Sequence, residues 1–232
     1  MTHERVLQFL PQGARRERAF SFCAKNAVLA GWTSRDKEIM RLHIEELMEI
    51  GLGAPQKTPI FFRCSVSRLT TASAIEVLDE ITSGEVEFVI LRNSGAIWIT
   101  VGSDHTDRTL EGNGVTVAKQ ICDRPICPQV WTYDDVIRHW DRLILRSYRV
   151  DGETRTLYQE GDIGQMLNPG ELMTLYEEEA GAMLDGTVMF GGTIGAIGGI
   201  KPASRFEFEL EDPVLKRKLS HGYDIRPLPI RG

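Results

Sequence analysis

The chain has 232 residues, 42% of them hydrophobic and 26% charged, with a net charge of −6 at pH 7. That length suits one compact domain, or a main domain with a small appendage, and the composition excludes disorder and low complexity. The acidic balance gives no general attraction for phosphate backbones, so nucleic acid is not an expected partner, whereas local basic residues remain compatible with a pocket for a small anionic substrate.

The start, MTHERVLQFLPQGARRER, lacks the apolar core of a secretory signal, and no later run approaches the ~20 apolar residues of a membrane span. A cytoplasmic protein with no membrane contact is expected. The first clear helix is GWTSRDKEIMRLHIEELMEIGLGAP, where Thr33 and Asp36 make a capping-box pattern, Met40, Ile44 and Leu47 form an apolar stripe, and Gly51 and Pro55 stop the run. From APQKTP onward the pattern turns to short strands: IFFRCSV, EVEFVIL, AIWITVG, RLILRSYRV, RTLYQ, TVMFGG and FEFEL, with RNSG and VDGE as turns. SAIEVLDEI fits helix or strand. TYDDVIRHW opens on Thr132 with Asp135, and NPGELMTLYEEEA carries Pro169 in its first turn; both predict helices. Strands outnumber helices without alternating with them, which predicts a β-dominated α+β fold. The four cysteines, Cys23, Cys64, Cys122 and Cys127, read as reduced thiols; CDRPIC has a Pro and a wider gap than a CxxC, so no zinc site is expected there.

The residues that carry chemistry lie in GEVEFVILRNSGAIWITVGSDHTDR. Glu85 and Glu87, two apart on a strand, point to one side, with Val86 and Phe88 on the other. Taken alone, the pair is compatible with a solvated strand face. However, a short turn and one more strand return Asp104 to their vicinity, and three gathered carboxylates repel one another unless a cation neutralises them. Hard oxygen ligands with positions left for water suit Mg²⁺, with Mn²⁺ or Ca²⁺ as substitutes.

Several segments in order resemble the fumarylacetoacetate hydrolase superfamily. EVEFVI is similar to its Glu-x-Glu strand and GSDHTDR to its Asn-Asp-x-Ser-x-Arg segment. AKQICDRPICPQVWTYDDV is similar to its Lys-bearing segment, VDGETRTLY to its Asn-Gly-Glu hairpin, and LDGTVMFGGTIGAIGG to its Pro-Gly-Asp-x-Ile-x-x-Gly-Thr segment. The likeness spans roughly residues 30 to 215 and points to a bacterial branch marked by SDHTDR. It implies a mixed β-roll and sandwich core with a few peripheral helices, divided into an N-terminal segment with a lid-like helix (1–55) and a catalytic core (56–232).

Residue by residue, the resemblance implies that Glu85, Glu87 and Asp104 hold Mg²⁺ or Mn²⁺, that Arg108 and Lys119 face the substrate, and that Thr193, beside Gly192, holds a substrate carboxylate. Each has a plainer alternative: a salt bridge to Asp107 or Asp104 for Arg108, a surface lysine, and a tight turn for Gly191, Gly192 and Thr193. His43 and Glu46, three apart on the first helix, are the candidates for activating water, with Lys119 as a further catalytic candidate; His43 is equally compatible with packing beside the apolar stripe. His105 and Asp107 are expected to support the ligands from behind. The activity implied is Mg²⁺-dependent hydrolytic C–C cleavage of a small 2-oxo or 1,3-dicarbonyl acid through a stabilised enolate. Decarboxylation, tautomerisation, or metal and ligand binding without catalysis are the alternatives. Members of the family commonly dimerise, so a homodimer is expected.

Overall fold

The computed structural model describes residues 4–13, 18–38, 40–41 and 57–231. Eight strands form a mixed sheet in the order Phe20–Ala24, Arg5–Pro11, Gln129–Thr132, Ala96–Ser103, Val86–Asn93, Thr187–Thr193, Asn26–Gly31 and Ile60–Cys64. A second sheet runs Thr154–Asp162, Ile144–Asp151, Arg205–Asp212, Arg217–Leu228 and Ala74–Leu78. Two short ladders, Thr82–Ser83 with Thr106–Asp107 and Leu69–Thr70 with Arg124–Pro125, connect the loops around the ends of the central hairpin.

The eight-stranded sheet curls on itself. Leu7, Phe9 and Phe22, from its first two strands, share one apolar cluster with Leu29 and Cys64, from its last two, and with Val89, Leu91 and Phe190 in the middle. On the other face Val86, Phe88 and Ile90 pack with Phe206, Phe208 and Tyr223 of the second sheet and with Leu172 and Tyr176 of the helix Pro169–Ala180. Val86–Asn93 is therefore buried on both sides, its side chains alternating between two cores. This is the strand-dominated roll and sandwich expected, with few helices at its periphery.

Most local expectations have visible causes. In the RNSG turn, Ser94 and Gly95 both take positive φ (52° and 76°), the two-residue turn that matches strand twist. Asn168 and Glu171 form the reciprocal cap of Pro169–Ala180: the Glu171 N–H donates to Asn168 Oδ1 at 3.0 Å, and Glu171 Oε2 accepts from the Asn168 N–H at 2.7 Å. TYDDVIRHW becomes the helical turn Tyr133–Val136 followed by a 3₁₀ segment, Ile137–Arg142. SAIEVLDEI resolves to the strand Ala74–Leu78, because alternate residues Ile75 and Val77 reach the core.

Three differences are instructive. Thr33 does not cap the first helix: its hydroxyl donates to the Gly191 carbonyl at 2.9 Å, and Asp36 takes the capping role by accepting from the Glu38 N–H at 2.9 Å. Residues 5–31 contribute three strands to the large sheet, so this stretch shares the main core, with Pro11 and Gly13 closing the first strand. Val115–Ile121 is a helix despite its β-branched residues, since Ala118 and Lys119 need an inward face there. No described helix is long and apolar enough to cross a membrane.

Candidate metal centre

The turn Asn93–Ala96 sets the register of the hairpin, and that register places the carboxylates. Val86 pairs with Ser103 and Glu87 with Gly102; one step further, the Asp104 N–H donates to the Glu85 carbonyl at 2.9 Å. Glu85, Glu87 and Asp104 thus lie on one face, where Gly102, opposite Glu87, lets the Phe190 ring and the Pro125 carbonyl pack close against the strand. One oxygen from each lies within 4.8 Å of the others. Glu87 and Asp104 are buried, and Glu85 is mostly so.

A β-bulge in the neighbouring strand supplies the third wall. Phe190 pairs with Val89 and Thr193 with Glu87, so Gly191 and Gly192 together oppose Phe88. The Phe88 ring lies against Gly191 so closely that no Cβ fits between them. Gly192 takes φ +96° with its Cα against the Thr33 hydroxyl, a conformation and a space open only to glycine. The bulge turns the Gly192 N–H onto Glu87 Oε2 at 2.9 Å.

Three cations face the carboxylates. Arg108 reaches Glu85 Oε1 at 3.1 Å and is anchored by Ser83 Oγ and Glu111 Oε2, each at 2.7 Å. The Lys119 ammonium, projecting from Val115–Ile121, donates to Asp104 Oδ2 and lies 3.7 Å from Glu85 Oε2. Arg124 is completely buried. Its guanidinium donates to the carbonyls of His105, Cys122 (3.1 Å) and Lys119 (2.7 Å), and its Nε stands 2.9 Å from Asp104 Oδ1. That N–H does not point at the oxygen, so Asp104 Oδ1 remains buried without a hydrogen-bond partner.

The electrostatics follow from these contacts. Burial, reinforced by Asp104, pushes the Glu87 carboxyl well above the ordinary carboxylate range. Burial acts on Asp104 in the same direction, but Arg124 and Lys119 outweigh it and hold Asp104 below its usual value. For Lys119 burial favours the neutral amine, and Asp104 with Glu85 reverses that, keeping the ammonium charged. The cluster holds one buried carboxylate whose charge is disfavoured and one buried oxygen that accepts no hydrogen bond, and its ligand atoms are all hard oxygens. These residues fit a divalent cation of the Mg²⁺ or Mn²⁺ kind.

The structure brings Glu85, Glu87, Asp104, Arg108, Lys119 and Gly192 together. Arg108 pairs with Glu85 and Glu111, not with Asp107 or Asp104. Thr193 is adjacent, its hydroxyl donating to the Val86 carbonyl at 2.8 Å and accepting from Gln159 Nε2 at 2.9 Å. His105 points through the sheet to the opposite core, its Nδ1 2.8 Å from the Tyr223 hydroxyl, so it backs the centre through its chain neighbour rather than through its ring. Asp107 caps the short helix Arg108–Glu111, accepting from the Leu110 N–H at 2.9 Å. His43 and Glu46 lie outside the described residues.

Two contributors escape sequence patterning. Arg124 shows only as one of two adjacent charges, beside Asp123, in CDRPIC. Gln159 is a polar residue at an inward strand position; its Oε1 accepts from the Val86 N–H (3.0 Å) and from Ser147 Oγ (2.8 Å), locking the start of the carboxylate strand. A separate hollow of about 280 Å³ on the second sheet is lined by Arg155, Glu207, Glu209 and Lys218. Its charges satisfy one another, Arg155 with Glu207 at 2.8 Å and Lys218 with Glu209 at 3.0 Å, and it lacks the three converging carboxylates of the centre.

The chain belongs to the family described as "Protein of unknown function (DUF2848)", whose model matches residues 30–223. Curated proteins give no significant match. Among solved structures, the yeast protein ynq8, a fumarylacetoacetate hydrolase family protein, superposes with TM-score 0.61 at 16% identity, covering 90% of this chain and 97% of that one. A 5-carboxymethyl-2-hydroxymuconate delta-isomerase from Mycobacterium smegmatis gives TM-score 0.59 at 15% identity, with 92% and 84% covered. A 2-keto-3-deoxy-D-arabinonate dehydratase, solved with magnesium and 2,5-dioxopentanoate, gives 0.60 at 17% identity, with 88% and 74% covered. The fold is that of the fumarylacetoacetate hydrolase family.

Proposed function

We propose that this protein is a Mg²⁺-dependent enzyme acting on a small 2-oxo or 1,3-dicarbonyl acid, with hydrolytic C–C cleavage as its reaction. The observation that carries this reading is the convergence of Glu85, Glu87 and Asp104 within 4.8 Å, with Asp104 Oδ1 buried and accepting no hydrogen bond. Glu85, Glu87 and Asp104 would hold the cation, with the Gly192 N–H fixing Glu87. When bound, the cation supplies electrophilic stabilisation where negative charge develops on the substrate oxygens. Arg108 and Lys119 complement an acid's carboxylate, the first as a planar fork and the second as a compact ammonium. In this reading Thr193 lies at the edge where the carboxylate end of the substrate rests, and His43 with Glu46 delivers a proton-accepting pair to water. The magnesium and dioxo acid bound to the fold-sharing dehydratase support the cation and the substrate class. The same electrophilic site supports decarboxylation or isomerisation when no water is activated, and the isomerase of this fold favours keeping that second reading.

The test is turnover of a panel of acylpyruvates and oxaloacetate with and without Mg²⁺, alongside direct Mn²⁺ binding. Glu87→Ala is expected to lose metal binding and turnover together, and His43→Ala to lose hydrolysis while keeping metal affinity. Full activity in Glu87→Ala removes the proposed centre. Enolisation without hydrolysis in the wild type moves the assignment to an isomerase.

A further inference from the structure

The three cations at the centre are not equally tied. Arg108 is anchored by Ser83 and Glu111, both at 2.7 Å, in addition to Glu85. Arg124 is bound to carbonyls of His105, Cys122 and Lys119 and has no exposed surface. The Lys119 ammonium has no such anchor. It contacts Asp104 Oδ2, sits 3.7 Å from Glu85 Oε2, and otherwise has only a long 3.5 Å approach to the Thr106 hydroxyl. It therefore touches two of the three carboxylates that would bind a metal, and it is held there almost entirely by charge.

A divalent cation bonded to the same oxygens would stand within a few ångströms of that ammonium, and like charges at such a separation in a low-dielectric site repel strongly. One of the two must give way. The Lys119 head is carried by a flexible four-carbon stem, and the residue keeps a small opening to solvent, 7% of its surface. Arg108 and Arg124 cannot leave without breaking neutral hydrogen bonds; Lys119 can.

We propose that Lys119 is a resident counter-ion that a divalent cation displaces, and that this displacement turns the ammonium outward to receive the carboxylate of an anionic ligand. The inference rests on the metal-centre reading above and adds to it an exchange: cation entry vacates the lysine from the carboxylates and builds the anion site in the same step. Neutralising Lys119 then acts in opposite directions on the two ligands, whereas a merely structural loss weakens both.

The experiment is Mn²⁺ binding by calorimetry and by electron paramagnetic resonance of free Mn²⁺, without anion, for the wild type, Lys119→Met and Lys119→Gln. Oxalate titrations into each Mn²⁺-saturated protein follow, and circular dichroism checks folding. The neutral variants are expected to bind Mn²⁺ alone about tenfold more tightly than the wild type, and to bind oxalate about tenfold more weakly once loaded. Two neutral variants are used because either folded one reports the exchange. Equal or weaker Mn²⁺ binding in a folded neutral variant overturns the inference while leaving the centre intact. Absence of Mn²⁺ binding in the wild type and in both variants removes the centre itself, and the inference with it.

Discussion

Asp104 stands directly across the hairpin from Glu85, its N–H bonded to the Glu85 carbonyl at 2.9 Å, so the two carboxylates meet beside Glu87 on one side of the sheet. Like charges opposite one another weaken a sheet. Apolar burial offsets this, since Val86, Phe88, Val89, Ile90 and Leu91 are all fully buried in the same strand, each contributing roughly 1.5–3 kcal/mol.

The cost falls most heavily on Glu87, whose ionised form is disfavoured by burial and then by Asp104. Its pKa is raised on folding, so its contribution to stability declines as pH climbs above the unfolded carboxyl value. Glu87→Gln keeps an oxygen for the Gly192 N–H and removes the charge. In EDTA at pH 7 the variant is expected to melt higher than the wild type, by on the order of a few °C. Mg²⁺ should reverse the order, because only the wild type gains the binding increment, about 2.7 kcal/mol at a hundred times Kd. Thermal melts with EDTA and with Mg²⁺ decide it, and curves that never cross would sink the argument.

Arg124 poses the opposite case. Removing a buried guanidinium strips Asp104 of a cation and takes a donor from the carbonyls of His105, Cys122 and Lys119, the last of which keeps only the Cys64 thiol at 3.3 Å. Arg124→Met is expected to cost about 3–5 kcal/mol, read from urea denaturation. Arg124→Lys restores the charge without the fork and should recover only part of it. A loss below about 1 kcal/mol in the Met variant means the carbonyls find other donors.

Much of this was legible in the chain because strand periodicity and turn chemistry are local. Once RNSG is read as a two-residue hairpin turn, pairing Asn93 with Ala96 carries Asp104 opposite Glu85 by counting alone. What stayed hidden depends on contacts far apart in sequence. Thr33 looks like a helix cap until Gly191, more than 150 residues away, takes its hydroxyl. Gln159 and Arg124 carry no local pattern, because a buried polar side chain is placed by its partners and not by its neighbours. Pro11 and Gly13 mark the end of the first strand, but the place of residues 5–31 in the sheet is set by parallel pairing with Gln129–Thr132 and Thr187–Thr193, far along the chain.

Gly192 links the bulge to the metal centre. A Cβ there meets the Thr33 hydroxyl, and φ +96° strains any other residue, a cost of about 1–3 kcal/mol. Gly192→Ala is therefore expected to lower stability by that amount and, by shifting the N–H from Glu87, to weaken Mn²⁺ binding roughly tenfold, about 1.4 kcal/mol. Thr33→Ala opens the space, so the double variant should be more stable than the sum of the single effects implies. Strict additivity in a double-mutant cycle would place the strain elsewhere.

His105 makes the pH dependence specific. Its ring is buried against Tyr223 with Nε2 unpartnered, and burial, followed by Arg124 and Arg108, lowers its pKa from 6.5 to about 3. Above pH 6.5 the ring is neutral in both the folded and the unfolded chain and contributes nothing. Below that, the unfolded chain takes up a proton that the fold refuses, so stability is lost as pH falls from about 6.5 towards 3, by about 1.4 kcal/mol per unit. Glu87 works in the opposite sense, since its raised pKa lets the fold gain a proton over part of the same interval. The whole-protein profile mixes the two, and comparison with His105→Asn separates them. In EDTA, the stability difference between wild type and variant is expected to shift by about 2 kcal/mol against the wild type between pH 7 and pH 5, measured by urea denaturation at each pH. A difference that holds constant across that interval means the ring protonates freely within the fold, which its burial behind Asp104 does not allow.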